Sequence, residues 1–349
     1  MSKEFREFLR KVGSGTHTSK SLTRLEAKTA TMMMMQGVAT PAQIGAFMIA
    51  HRIKRPTSEE LAGMLDAYQL LGAKINPIAS EQQVLVLGSP YDGRSKTAPL
   101  SPTVAIVLAA AGIPVLMHGG DRMPTKEGLP FIEIWQALGL DFPKLEISQV
   151  QQQLETQNFG FVYLPKHFPL AQSLVPYREQ IGKRPPFATL ELMWSPYQGQ
   201  QLIVSGFVHP PTETNIRDAF ALHELTEFAT VKGLEGSVDL PRSRTAIIGI
   251  NRGDRFERLT LSARQYEFSG EDGAIADSSE MAIKIISALK SEPSEYLNSV
   301  LWNCGFYLWL YGLHSEISEA IAHAQNIIGS GAAMQKLHDL QGYFRKSYV

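Results

Sequence analysis

Two loops rich in glycine, hydroxyl and basic groups are the part of this chain best suited to chemistry. Each follows a short apolar run, and a small-residue segment begins soon after the first loop. Glycines let a backbone approach an anion closely, and amides at a helix start can donate to it. The loops therefore predict a site for a phosphorylated ligand. Its first candidates are Gly88, Asp92, Gly93 and Ser101 from the first loop, and His118 and Gly119 from the second.

The elements that position these loops are predicted from alternating short apolar runs and longer helical stretches. Strands separated by helices imply crossover connections and a mainly parallel sheet. Ligands gather at the carboxyl ends of such strands, where both loops lie. A more alternating segment, 256–268, predicts an antiparallel or edge strand. The predicted strands are Val84–Leu87, Val115–Met117, Phe161–Leu164, Leu202–Val204 and Ala246–Ile250.

The first 75 residues are predicted to be helical. Thr40-Pro41-Ala42-Gln43 combines a capping hydroxyl, a first-turn proline and a glutamine at the third position, which is typical of a helix start. Thr57-Ser58-Glu59-Glu60 repeats the capping pattern, and apolar residues follow it at helical spacing. We therefore expect a small helical domain before the α/β domain.

Size and composition limit the class of protein. The 349 residues, 44% of them hydrophobic and 19% charged, suit a globular protein of two domains. No apolar run reaches the roughly 18 residues of a membrane span, and the N-terminus lacks the apolar core of a signal peptide. The single cysteine, Cys304, suits a reducing interior. We expect a cytoplasmic protein with no membrane association.

The net charge of −1 conceals a basic N-terminal segment. Residues 1–55 contain ten basic and three acidic residues, which gives this segment a net charge of +7. A charged helical face is usually a solvated surface, but local charge can also attract an anionic partner. The candidates for contacts with nucleic acid are Lys11, Lys20, Arg24, Lys28, Arg52, Lys54 and Arg55.

Nearly the whole chain resembles glycosyl transferase family 3, and within it the anthranilate phosphoribosyltransferases. The similar segments are 37–54 and 58–63 near the N-terminus, the two loops, and 175–187 with Val175-Pro176-Tyr177-Arg178. The resemblance implies an α/β fold of the nucleoside phosphorylase and phosphoribosyltransferase type. It implies a helical dimerisation domain over 1–77, joined by helices from about 168–195, and a phosphoribosyl-binding α/β domain over 78–349. It also implies a homodimer.

The resemblance also implies roles for particular residues. Phosphoribosyl diphosphate would contact both loops, and Arg178 would bind the carboxylate of an aromatic acceptor. Asp239 and Glu235 are the candidates for a weakened magnesium site, since the family's adjacent Asp-Glu pair is replaced by Val238-Asp239. The residues implied for phosphoribosyl diphosphate are Gly88, Asp92, Gly93, Ser101, His118, Gly119, Arg122, Thr125 and Lys126.

Several loop residues depart from the family pattern. The family's Gly-Thr-Gly-Gly-Asp-Gly is here Gly88-Ser89-Pro90-Tyr91-Asp92-Gly93. Its Asn-Ile-Ser-Thr is Pro99-Leu100-Ser101-Pro102, and its Lys-His-Gly-Asn-Arg is Met117-His118-Gly119-Gly120-Asp121. The prolines remove amide donors, Tyr91 adds bulk and Met117 removes a positive charge. These changes reduce the cationic and amide donors around a diphosphate.

Two functions remain open from the sequence. The first is a phosphoribosyltransferase that transfers a pentosyl group from phosphoribosyl diphosphate to an aromatic amine or related acceptor, with magnesium. The second is a non-catalytic homodimeric paralogue that binds DNA or RNA through the basic N-terminal face. Catalysis would depend on stabilising the anionic leaving group, whereas nucleic-acid binding would weaken steeply with salt.

Overall fold

The protein is described from a computed structural model, which covers residues 3–15, 17–79 and 82–346. Four helices, α1 to α4, come first, and a seven-stranded sheet surrounded by helices follows. Among the described residues, no helix combines the length and the hydrophobicity of a membrane span. The helices are α1 Lys3–Gly13, α2 Arg24–Met35, α3 Pro41–Lys54, α4 Ser58–Leu71, α5 Ser101–Ala110, α6 Phe131–Ala137, α7 Ile147–Gln157, α8 Leu164–His167, α9 Pro169–Gln172, α10 Val175–Ile181, α11 Phe187–Leu190, α12 Pro210–Leu222, α13 Ser278–Leu289, α14 Glu295–Tyr311, α15 Ile317–Gly329 and α16 Ala332–Lys346.

The sheet is mainly parallel, as predicted. Its strand order is β3-β2-β1-β4-β5-β6-β7, in which β1 to β5 pair in parallel and β6 and β7 pair antiparallel. The first five carboxyl ends therefore share one edge, where both loops leave the sheet. The strands are β1 Val84–Gly88, β2 Val115–Gly119, β3 Phe159–Tyr163, β4 Gln201–Gly206, β5 Glu227–Val231, β6 Ala246–Arg252 and β7 Arg255–Leu261.

The helical starts at Thr40 and Thr57 are confirmed. Thr40 caps α3 in a capping box with Gln43, and Thr57 caps α4 in a capping box with Glu60. The carboxylate of Glu60 is fully buried and also accepts bonds from the Leu22 amide (2.9 Å) and the Lys54 ammonium (2.7 Å). Burial alone would raise the pKa of Glu60, but bonding from His51, Lys54 and Leu22 lowers it to about 2. One carboxylate thus ties the start of α2 and the end of α3 to α4.

The helical part extends beyond α4 through contacts with later helices. Helix α10 packs on α3, and α12 packs on α4. Arg24 forms a double hydrogen bond with Asp66 and also donates to the Leu222 carbonyl, which links α2 to the end of α12. The division at residue 77, and the assignment of 168–195 to the helical domain, stay predictions.

Candidate functional site

The first loop follows β1 and turns tightly back on itself. The Gly93 amide donates to the Pro90 carbonyl (3.1 Å), and Gly93 has a positive φ of 68°. A Cβ atom at Gly93 would lie 2.5 Å from the Leu129 carbonyl oxygen, so the turn needs glycine here. At Gly88 an added Cβ atom would lie 2.3 Å from the Leu192 carbonyl oxygen. The retained glycines thus allow close backbone packing.

The space between the two loops is filled by Tyr91 and His118. Both side chains are buried, and the Tyr91 hydroxyl lies 2.5 Å from His118 Nδ1. Burial lowers the pKa of His118 to about 4 and raises the pKa of Tyr91, so both groups are neutral at neutral pH. The remaining cavity, lined by Ser89, Gly119 and their neighbours, measures about 10 Å³. A cavity of this size holds about one water molecule, so a sugar phosphate does not fit between these loops.

Arg94, directly after the first loop, lies between the two carboxylates predicted for magnesium. Its guanidinium is buried, donates to Asp239 (2.9 Å) and Ser237 (2.6 Å), and has its Nε 3.4 Å from Glu235. Asp239 also accepts bonds from the Leu100 amide (3.0 Å) and the Ser101 hydroxyl. The positive charge that Asp239 and Glu235 face is therefore the guanidinium of Arg94.

Glu235 accepts bonds from a whole segment of the first loop. Its carboxylate receives the amides of Ser95 (3.2 Å), Lys96 (3.0 Å) and Thr97 (2.9 Å), and the hydroxyls of Ser95 and Thr97. The Lys126 ammonium lies 3.0 Å away. Burial would raise the pKa of Glu235, but the Thr97 amide, Lys126 and the Ser95 amide hold it far below its usual range. Glu235 is therefore an ionised, fully bonded group.

These two carboxylates do not fit a magnesium ion. Magnesium requires near-octahedral oxygen ligands at about 2.0–2.1 Å, whereas the oxygens of Asp239 and Glu235 already face a guanidinium and backbone amides. No group of three or more His, Cys, Asp or Glu side chains within the described ranges could hold a metal ion.

The second-loop candidates Arg122, Thr125 and Lys126 lie in different surroundings. Arg122 is exposed and pairs with Glu133 at 2.6 Å. Thr125 is exposed and has a positive φ of 83°. Lys126 does reach the first loop, since its ammonium donates to the Gly93 carbonyl (2.6 Å) and pairs with Glu235. At Gly119 an added Cβ would lie 3.1 Å from the Phe161 ring, which reflects close packing.

Arg178 is buried in an internal ion pair. Its guanidinium bonds to Glu191, which is also buried and accepts the Tyr91 amide (3.2 Å). Asp92 is similarly buried, with its carboxylate 3.0 Å from Arg184 Nε. Two residues implied for ligand contacts, Asp92 and Arg178, therefore have partners within the chain.

A large open cleft lies outside these closed loops, between the helical part and the carboxyl edge of the sheet. Its volume is about 970 Å³, and it is lined by the end of α3, the 184–192 segment and the loops after β4 and β5. Arg52 and Arg55 contribute unbalanced positive charge to its lining, and Arg184 lines it as the partner of Asp92. Glu235, its acidic residue, is neutralised by Lys126 and Arg94. The cleft therefore favours an anionic ligand.

The basic residues predicted for nucleic acid divide into two groups. Lys11, Arg24 and Lys54 form ion pairs with Glu26, Asp66 and Glu60, so their charge is locally balanced. Within the described part, the side chains of Lys20, Lys28 and Arg55 have no ion-pair partner, and Arg52 donates only to the Arg184 carbonyl (3.0 Å). Of these, Arg52 and Arg55 line the cleft.

Three charged residues of the site were not predicted from the sequence. Arg94, Glu191 and Arg184 each neutralise a buried or half-buried carboxylate or guanidinium. The position of Arg94 could have indicated its role. It directly follows Gly93, so its side chain can reach the carboxylates that were predicted to bind magnesium. Contacts across more than 90 residues, such as Tyr91 to Glu191, left no local pattern.

Comparison with known proteins places these features in a family. The helical bundle domain of the glycosyl transferase family matches residues 6–72, and its a/b domain matches residues 92–334. The chain belongs to this glycosyl transferase family and is anthranilate phosphoribosyltransferase-like.

The similar proteins span nearly the whole chain. An anthranilate phosphoribosyltransferase from Dehalococcoides mccartyi is 29% identical over 329 residues, which cover 92% of this chain and 94% of that protein. An uncharacterized protein from Aquifex aeolicus is 26% identical over 321 residues, which cover 88% of this chain and 97% of that protein. Sequence identities of this size support membership of the family but do not establish an enzymatic activity.

Solved structures share the fold. Anthranilate phosphoribosyltransferase from Saccharomyces cerevisiae in complex with PRPP and Mg has a TM-score of 0.84 at 17% identity, covering 99% of both chains. The enzyme from Thermus thermophilus has a TM-score of 0.80 at 20% identity, covering 99% of this chain and 100% of the other. The predicted helical and α/β architecture is therefore confirmed.

Proposed function

We propose that this chain is a non-catalytic member of its family that binds nucleic acid along the basic cleft between its helical part and its sheet. The main support for this proposal is the difference in volume between the cavity at the two loops and the cleft beside it. The cavity between the two loops measures about 10 Å³, whereas the arginine-lined cleft beside it measures about 970 Å³. The cleft is therefore large enough to bind an anionic ligand, whereas the cavity between the loops is too small.

Pentosyl transfer from phosphoribosyl diphosphate to an aromatic amine is the other candidate function. It is favoured by the similarity to anthranilate phosphoribosyltransferases. The transfer must bind magnesium and diphosphate and must orient an acceptor. Here Arg94 faces the candidate metal carboxylates, Tyr91 fills the space beside His118, and Arg178 is paired with Glu191. The geometry therefore supports binding in the cleft over transfer.

Nucleic acid suits the cleft for two physical reasons. Arginine binds phosphate through several donors at once, and Arg52 and Arg55 give two such groups, whereas the charge of Arg184 is balanced by Asp92. The lining is otherwise largely apolar and includes the aromatic ring of Phe207, which suits the faces of unpaired bases. Its proline lining consists of Pro56, Pro90, Pro185, Pro186, Pro210 and Pro211.

A homodimer is part of the proposal, as the resemblance implied. Outside the cleft lining, the helical part exposes apolar side chains at Leu25 and Val38, which is compatible with a protein partner. A dimer would present two basic clefts and thereby raise the affinity for a long strand.

Oligonucleotide binding tests the proposal. We expect a fluorescent single strand to bind with a log–log salt slope of roughly −1.4 per cleft, because two arginine–phosphate contacts contribute about 0.7 each. The Arg52→Glu, Arg55→Glu double variant should bind at least about tenfold more weakly and with a smaller slope. Fluorescence anisotropy across a salt series measures both quantities.

The matched control reverses two exposed charges elsewhere. Arg264 and Lys290 are exposed and do not line the cleft, so Arg264→Glu, Lys290→Glu has the same net charge as the cleft variant. Equal losses in the two double variants would show non-specific attraction and contradict the cleft assignment. Absence of binding by the wild-type protein at micromolar concentration and low salt would contradict the function itself.

A further inference from the structure

The segment Ser95–Thr97 forms a receptor for an oxyanion. Three consecutive amides and two hydroxyls point at one position, and Lys126 adds a positive charge there. Such convergent backbone donors form a binding concavity for anions. The group that occupies it is the Glu235 carboxylate.

The Glu235 carboxylate has fewer acceptor positions than the receptor has donors. A carboxylate offers two oxygens with about four acceptor positions, whereas five hydrogen bonds from Ser95, Lys96 and Thr97 reach Glu235 in addition to Lys126 and the nearby Arg94. A phosphate group carries more acceptor oxygens than a carboxylate. The receptor is thus better matched to phosphate than to the side chain it holds.

Glu235 lies in a tight turn that aims its side chain at the receptor. Glu235 has a φ of 53° and a ψ of 25°, in the left-handed region that side-chain-bearing residues rarely adopt. Such a conformation persists only where the surroundings enforce it. The turn hydrogen bond from the Ser237 amide to the Leu234 carbonyl (3.0 Å) and the bonds of the side chain to Ser95–Thr97 and Lys126 enforce it together.

We infer that Glu235 and Arg94 are internal occupants of a phosphate site and its cation site. The Glu235 carboxylate fills the oxyanion receptor of Ser95–Thr97, and the Arg94 guanidinium fills the space between Glu235 and Asp239 where a metal ion was predicted. The wild-type loop is therefore ordered without ligand or metal, and removing Glu235 exposes a site for phosphate or diphosphate. Glu235 also lines the cleft, but the donors of the receptor, Ser95–Thr97 and Lys126, are not among the cleft-lining residues, so this inference does not rest on nucleic-acid binding.

The test is a gain of binding in Glu235→Gly. Glycine accepts the left-handed backbone conformation, so the substitution removes the occupant without adding strain. We expect inorganic diphosphate, without magnesium, to bind this variant at least roughly tenfold more tightly than it binds the wild-type protein, because several charge-assisted bonds become available. Isothermal titration calorimetry in a chloride buffer measures this difference.

The chain offers a matched control. Glu267 also has a left-handed backbone (φ 64°) and is exposed, so Glu267→Gly removes the same charge and relieves the same conformation without opening the receptor. We expect Glu267→Gly to bind diphosphate like the wild-type protein. Adding Lys126→Met to Glu235→Gly should abolish most of the gain. Equal diphosphate affinity in Glu235→Gly and Glu267→Gly would overturn the assignment.

A second measurement covers the case in which Glu235→Gly folds poorly. Hydrogen exchange of the wild-type protein, in buffer free of phosphate and divalent metal, should show protected amides at Ser95, Lys96 and Thr97, because Glu235 accepts all three. Unprotected amides at these positions under those conditions would overturn the assignment without use of any variant.

Discussion

Arg94→Met is expected to lower the free energy of unfolding by about 3–5 kcal/mol, because it leaves a buried carboxylate without its cation. Asp239 is buried and pairs with Arg94 at 2.9 Å, and Glu235 loses a neighbouring positive charge. Methionine keeps much of the side-chain volume, so the loss reports charge and hydrogen bonding. Urea denaturation of the variant and wild-type proteins measures the change.

The controls for Arg94 separate charge from shape. Arg94→Lys keeps the charge but loses the planar fork that reaches Asp239, Ser237 and Thr97 together, so we expect an intermediate loss. Arg264→Met removes an exposed arginine, and its effect should stay within about 0.5 kcal/mol. An Arg94→Met loss below about 1 kcal/mol would contradict the assignment of Arg94 as the cation of this site.

Arg178→Met is expected to cost a similar 3–5 kcal/mol, since it isolates the buried Glu191. Burial raises the pKa of the Glu191 carboxyl, against the charge of Arg178. Without Arg178, Glu191 must either stay charged in an apolar setting or take up a proton. Glu191 also accepts the Tyr91 amide, so the loss should extend to the loop that fills the site.

The double variant Arg178→Met, Glu191→Gln checks this interpretation. A neutral glutamine removes the buried charge and can still accept the Tyr91 amide, so we expect it to recover at least about 1 kcal/mol relative to Arg178→Met. If Arg178 instead faced a ligand site as an unpaired group, Arg178→Met would have little effect on stability and Glu191→Gln would give no recovery.

The fold was largely predictable from local patterns. Capping residues at Thr40 and Thr57 placed two helix starts, and apolar runs placed four of the five parallel strands. β5, Glu227–Val231, was missed because its short sequence, EFATV, alternates too little to differ from the end of a helix. The edge strand β7 begins one residue before the segment predicted as antiparallel or edge and ends at Leu261, because a 3₁₀ turn follows at Ala263–Tyr266.

The site was predictable only in outline. Local sequence located both loops at strand ends, since glycines and apolar runs are adjacent in the chain. The partner of each charged group depends instead on contacts between distant segments, such as Arg94 with Asp239 and Arg178 with Glu191. A count of charges in residues 1–55 could not separate Lys54, which is held by Glu60, from Arg55, which lines the cleft.

By this assignment, side chains of the protein occupy the space in which a phosphoribosyltransferase would bind its diphosphate and metal. Calorimetric titration of phosphoribosyl diphosphate with magnesium into the wild-type protein tests it most directly. We expect no saturable, magnesium-dependent heat, because Arg94, Glu235 and Tyr91 fill that space. Saturable binding that requires magnesium would contradict the account.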